Sequence, residues 1–296
     1  MIIEPRTVKL TTRTGVEVRR SLPHAHLKRI GAWVFVDHFG PTAQTDGMVV
    51  AAHPHTGLQT VTWLFEGMVD HRDSIGSIQT ITPGQLNLMT AGRGISHSEL
   101  SMRGPENLHA VQLWVALPET HRHQAPYFEH LSNLPELLGE NFQAKVLVGE
   151  FMGVQSAAKV FSELVGVEIR IAQGQKVSVP LREKFEYGIL VANGEVQVVQ
   201  GDSKELLSLN QLGYWEKGQQ SLELLAKKDS ILLLLGGVPM TEKIVMWWNF
   251  IERNHEEIVQ AREQWNQRAE RFGSFEDEVG GWIPAPELPN LVLQPR

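Results

Sequence analysis

His53-Pro54-His55-Thr56-Gly57 and Gly92-Arg93-Gly94-Ile95-Ser96-His97-Ser98-Glu99 bracket the stretch that decides how this chain is read. Between them lie strand-like runs and tight turns. In a strand, successive side chains point to opposite faces, so residues i and i+2 share one. His53 and His55 therefore point the same way, and so do His97 and Glu99. If the two strands face each other, three imidazoles and one carboxylate converge on a point. That donor set suits Fe(II), Mn, Co, Ni, Cu(II) or Zn. Four protein ligands on an octahedral ion leave two positions open, which favours a reactive or sensing site over a closed structural one. Pro54 biases His53 toward extended backbone, and Gly57, Gly92 and Gly94 permit tight backbone beside it.

Working outward, the same stretch reads as short strands. Gln59–Phe65 is rich in β-branched and aromatic residues. Glu66-Gly67 turns it back into Met68–Arg72. Ser77–Thr82, Pro83-Gly84, Gln85–Met89 and Leu108–Leu117 continue the pattern. Upstream, residues 7–20 alternate around a turn at Gly15. Trp33–Val36 is a strand closed by a turn at Asp37–Pro41, and a loop follows over Thr42–Gly47. Strands this short, with turns every 8 to 12 residues or so, predict a sandwich or barrel. Residues 118–142, punctuated by Pro118, Pro126 and Pro135, read as a connection.

The second half echoes the first. Tyr187–Val196 repeats the pattern of Thr60–Val69, with Gly67 falling on Gly194. In that register His53 falls on Pro180, His55 on Arg182 and Gln59 on Glu186. The natural reading is a duplicated domain that kept its scaffold and lost its ligands, with chance similarity of two β-hairpins as the alternative. Of 12 histidines only His255 lies beyond His130, which assigns metal chemistry to the first half. After Gly236-Gly237 the pattern becomes helical. Ile258, Ala261 and Trp265 share a face, Asn254 is placed as N-cap, and Glu256 and Glu257 occupy the first turn. The helix is expected over roughly 255–271, with a proline-rich extended tail.

The chain has 296 residues, 42% apolar and 21% charged, which is globular composition. No apolar run approaches the length of a membrane span, and no signal peptide is visible. A cytoplasmic protein with no membrane contact is the default expectation. Cys is absent, so thiolate ligands and disulfides are too. A net charge of −7, without a basic cluster, argues against direct nucleic-acid binding and favours a protein partner.

Both histidine motifs and their separation resemble the signature of the pirin family, a branch of the cupin superfamily. The likeness extends to Leu233–Pro239 and to the helix opening at Glu256-Glu257-Ile258. It implies an all-β bicupin, two tandem jelly-roll-like β-barrels packed face to face with a C-terminal α-helix. Residues 1–130 would form the metal-binding cupin domain, and 131–296 a C-terminal cupin without ligands. It also implies iron, Fe(II) or Fe(III), held by His53, His55, His97 and Glu99, with Mn, Ni, Co, Cu or Zn as alternatives. Two roles follow from the family. One is a quercetin 2,3-dioxygenase, an oxidoreductase acting on a small aromatic flavonol with Glu99 as base. The other is a metal-dependent regulator that binds a protein partner, as a transcription cofactor does. The chain departs from many pirins after the second His, with Thr56-Gly57-Leu58-Gln59 in place of Arg-Gly-Phe-Glu. Gln59 therefore reads as a neighbour of the site, and Glu99 as the sole carboxylate ligand.

The remaining candidates read as structural. His71 and Asp73 are expected on an exposed hairpin, with the rim of the site as the alternative. His24 and His26 read as surface loop, and His121 and His123 carry no chemistry. Trp247-Trp248 reads as core or inter-domain packing, and Trp63, Met89 and Trp114 as barrel-wall residues, with a place facing the metal cavity open to some of them.

Overall fold

The computed structural model describes residues 1–10, 16–43, 47–101, 107–201, 203–275 and 281–296. The turn assigned to Gly15 and the middle of the Thr42–Gly47 loop lie outside the described residues. Contacts divide the chain into two units. One comprises Met1–Val8, Arg19–His38 and Leu131–Met240. The other comprises Lys9–Val18, Phe39–His130 and Thr241–Arg296.

The second of these carries the histidines. Its four-stranded antiparallel sheet runs in the order Val49–His55, Ile95–Ser101, Val69–Asp73, Ile78–Ile81. In a second sheet, Leu58–Glu66 lies between Leu86–Thr90 and Asn107–Ala116. Every residue of Leu58–Glu66 except the last is buried. Covered on both faces, it reads as a nearly unbroken apolar and threonine run rather than an alternating one. Gly67 (φ +93°) turns it back, and a Cβ there would stand 2.6 Å from the Asn107 carbonyl oxygen. The helix His255–Asn266 buries Ile258, Ala261 and Trp265, and Asn254 caps it by accepting from the Glu257 amide at 2.9 Å. It stops short of residue 271. Arg268 takes φ +56°, which ends the α-helix, and a 3₁₀ turn covers Glu270–Phe272. Trp247 and Trp248 pack against the core formed by Phe250, Ile258 and Trp265.

In the other unit the sheet Ile2–Ile3, Leu212–Trp215, Glu186–Asn193, Ser230–Gly237, Leu164–Ile171, Gln143–Val148, Glu136–Leu138 faces a smaller one. That one runs Lys176–Pro180, Ser221–Ala226, Glu195–Gln200, Ser203–Ser208. Val167, Ile189 and Leu234 of the first meet Val179, Val198 and Leu224 of the second in an apolar core. The echo is visible here. Glu186–Asn193, Gly194 (φ +82°) and Glu195–Gln200 repeat the turn at Gly67, each glycine carrying the chain from one sheet into the other.

The expectation of closed β-barrels is overturned. A barrel requires a hydrogen-bonded ladder joining its first strand to its last. Each sheet order here ends in edge strands, among them Val49–His55 and Ile78–Ile81 beside the histidines. The protein is mostly β-sheet with a C-terminal α-helix, and its sheets are open. Alternation along a strand is common to sandwiches and barrels, so the sequence pattern does not distinguish them. No helix among the described residues is long and apolar enough to cross a membrane.

Candidate metal centre

Pairing places both histidine motifs on one sheet face. His97 lies directly opposite His53 on one neighbouring strand and opposite Asp73 on the other; Glu99 lies opposite His71. The register shifts between His97 and Glu99, with the extra residue on the partner strand Val49–His55. The Gly57 amide bonds the Gly92 carbonyl at 2.9 Å, tying the two motifs together. His55 Nε2 and His97 Nε2 stand 3.0 Å apart. The His53 ring centroid is 4.3 Å from that of His97 and 5.1 Å from that of His55. Trp114 meets His55 edge-on at 5.1 Å.

All four expected ligands are buried. Burial lowers the pKa of His53 to about 4, and it holds His55 and His97 well below the ordinary imidazole value, so all three are neutral near pH 7. Burial pushes the Glu99 carboxyl up, against the pull of His71 and a hydrogen bond from Thr62. His53 Nδ1 lies 3.0 Å from the Ala51 carbonyl. A carbonyl only accepts, so Nδ1 carries the proton and the Nε2 lone pair is left for a ligand role. The Asn249 backbone approaches His55. Two neutral imidazole nitrogens at 3.0 Å, buried with a third ring and a carboxyl nearby, suit a shared cation. Two triads have donor atoms within 4.8 Å of one another, His53/His55/His97 and His71/His97/Glu99. The cluster is therefore a buried His/Glu site capable of coordinating a divalent metal.

His71 and Asp73 correct the sequence reading, because neither lies on an exposed hairpin. They are 3% and 2% exposed. His71 Nδ1 is 3.4 Å from His97 Nδ1, and His71 Nε2 is 3.1 Å from Asp73 Oδ2. Phe128 stacks on the His71 ring at 4.5 Å. The signal was present: Val69, His71 and Asp73 alternate as the inward positions of one strand. Thr62 faces Glu99, so its neighbour Trp63 points to the opposite face. Met89 and Trp114 lie opposite Thr60 and share Thr62's face. Gln59 is buried and donates to Thr90 Oγ1 at 2.9 Å. His26 and His123 are exposed.

The segment after residue 248 also builds the site, and sequence reasoning missed this. Thr56 bridges Phe250, and the Ile251 amide donates to the Thr56 carbonyl at 3.0 Å. A Cβ on Gly57 (φ +68°) would stand 2.0 Å from the Ile251 carbonyl oxygen. On the second motif, Ser96 Oγ donates to the Phe272 carbonyl at 3.0 Å. Buried Glu252 accepts from Arg122 (2.9 Å) and Arg271 (3.2 Å), and Arg122 also holds Glu257.

Comparison with known proteins gives the family. The Pirin family model matches residues 15–115, and the model of the Pirin C-terminal cupin domain matches 166–273. A Pseudomonas aeruginosa protein provisionally named quercetin 2,3-dioxygenase is 38% identical, with 93% of this chain and 87% of that protein aligned. A pirin-like protein of Caulobacter vibrioides is 36% identical over 92% and 94%. The crystal structure of a quercetin 2,3-dioxygenase from Acinetobacter baumannii superimposes with a TM-score of 0.94 at 38% identity, covering 100% of this chain and 97% of that one. With both halves matched in order and its relatives aligned along nearly the whole length, the chain belongs to the pirin family, within the cupin superfamily, as a bicupin.

Proposed function

We propose that this protein is a metal-dependent flavonol 2,3-dioxygenase of the quercetinase type. His53, His55, His97 and Glu99 would hold one divalent ion, iron in the first instance. The observation that carries the reading is the buried His53/His55/His97 triad, with Glu99 grouped beside His97 and His71, in a chain 38% identical, end to end, to a solved quercetin 2,3-dioxygenase. When bound, a metal ion supplies Lewis acidity that lowers the pKa of a substrate hydroxyl. The remaining work falls to the protein. Glu99, its basicity raised by burial, is placed to take the proton of an enolisable hydroxyl. Its hydrogen bond with Thr62 fixes where that carboxylate points. Met89 and Trp114 on the facing sheet give an apolar wall suited to a flat aromatic substrate.

The test is quercetin consumption, followed at its visible absorbance, by protein loaded separately with Fe(II), Mn, Co, Ni or Cu under controlled O₂. Turnover with at least one metal, lost in Glu99→Gln protein that still carries metal, is the expected outcome. Absence of turnover with every metal, in protein shown to be loaded, overturns the enzymatic reading. His97→Ala should lose stoichiometric metal by elemental analysis, whereas His123→Ala should keep it.

A further inference from the structure

We infer that Asp73 and His71 are positioning residues of the metal centre: a carboxylate–imidazole–imidazole chain keeps the His97 proton on Nδ1 and turns the Nε2 lone pair toward His53 and His55. This rests on the metal-site reading above and adds to it two residues that reading leaves without a role.

Asp73 anchors this chain of side chains. Its Oδ1 accepts from the amides of Ile75 (3.0 Å) and Ser77 (2.9 Å), which leaves Oδ2 to His71 Nε2 at 3.1 Å. Burial pushes the Asp73 carboxyl up, but the hydrogen bonds from His71 and Ser77 outweigh it and hold it below its usual value. An ionised carboxylate only accepts, so His71 Nε2 carries a proton, and in the neutral imidazole Nδ1 then presents a lone pair. That lone pair faces His97 Nδ1 at 3.4 Å, which must then donate. With its proton on Nδ1, His97 offers Nε2 as a lone pair, 3.0 Å from His55 Nε2. His53 reaches the same state through the Ala51 carbonyl. A metal-bound imidazole ordinarily donates its second N–H to a carboxylate, carbonyl or water. Here the acceptor is a second imidazole, whose own tautomer is set by Asp73. The stacked Phe128 ring keeps His71 in plane for both bonds.

Asp73→Asn inverts the chain while leaving its shape. The amide oxygen still accepts from Ile75 and Ser77, but the amide nitrogen now donates to His71 Nε2. His71 then carries its proton on Nδ1 and donates to His97 Nδ1. The His97 proton moves to Nε2, where it blocks the metal position.

Two measurements test this. Imidazole ¹⁵N NMR of metal-free wild type near pH 7.5 should show His71 as the Nε2–H tautomer and His97 as the Nδ1–H tautomer, with both reversed in Asp73→Asn. Chelator competition with Co(II) should show Asp73→Asn and His71→Phe weakened by roughly 10- to 100-fold. His71→Gln, whose amide oxygen can accept from His97, should recover most of that loss. Metal-free Asp73→Asn should melt within a few degrees of wild type, separating positioning from folding. Wild-type tautomers opposite to these, Co(II) affinity of Asp73→Asn equal to wild type, or equal losses in His71→Gln and His71→Phe would each overturn the inference. If wild type fails to bind Co(II), or His97→Ala still binds it, the metal-site reading itself fails; the NMR result then judges the tautomer chain alone.

Discussion

The metal-free protein should be acid-sensitive in a way that reports on the histidine cluster. His53 titrates near 6.5 when unfolded and at about 4 in the fold, because burial penalises its charged form. Between these values the unfolded chain binds the extra proton, so stability is lost as pH falls below about 6.5 and the loss is complete below about 4. Linkage over this interval gives His53 alone a cost of about 2 kcal/mol at pH 5 relative to pH 8, rising to roughly 3 kcal/mol near pH 4. His55 and His97 act in the same direction. Against a typical domain stability of about 5 to 15 kcal/mol, this is a large effect. The assay is urea unfolding of chelator-stripped wild type and His53→Gln at pH 8, 6.5 and 5. The variant cannot take the proton, so its stability advantage over wild type should grow by about 2 kcal/mol from pH 8 to pH 5. Saturating metal, which binds only the deprotonated cluster, should flatten the wild-type profile until protons displace it. A stability difference between the two proteins that stays constant with pH would refute the reasoning.

Three further substitutions test how the site is held. Gly57→Ala must place a Cβ against the Ile251 carbonyl in left-handed backbone, so thermal unfolding should show a loss above roughly 2 kcal/mol together with weakened metal uptake. Arg122→Met leaves Glu252, whose carboxyl burial already pushes up, with Arg271 as its remaining cation. A loss of roughly 3 to 5 kcal/mol is expected, partly recovered by adding Glu252→Gln, and strict additivity in that double-mutant cycle would contradict the pairing. Asn254→Ala removes the cap of His255–Asn266 and should cost about 1 kcal/mol in urea titration with no change in metal stoichiometry.

Some of this was legible residue by residue. His53/His55 and His97/Glu99 could be placed on common faces because strand periodicity is local. The matching turns at Gly67 and Gly194 announced an internal repeat, and Ile258, Ala261 and Trp265 marked the buried side of the helix. The Asn254 cap was equally readable, since capping involves only neighbouring residues. His71 was misplaced because its hairpin looks the same whether its inner face meets solvent or another strand. Its pairing opposite Glu99, across 28 residues, and the Phe128 ring stacked on it bury it.

By itself, then, the sequence determined which residues share a face, where the chain turns, and that the donors of a divalent-metal site lie in the first half. Tertiary structure decided the rest. It set the register that brings His97 opposite His53, left the sheets open at their edges, and placed Asn249–Phe272 against both metal motifs. The division has a physical cause. Side-chain direction follows from backbone geometry over two to four residues, whereas register, sheet closure and docking depend on hydrogen bonds and buried surface between segments up to about 200 residues apart, which no local pattern encodes.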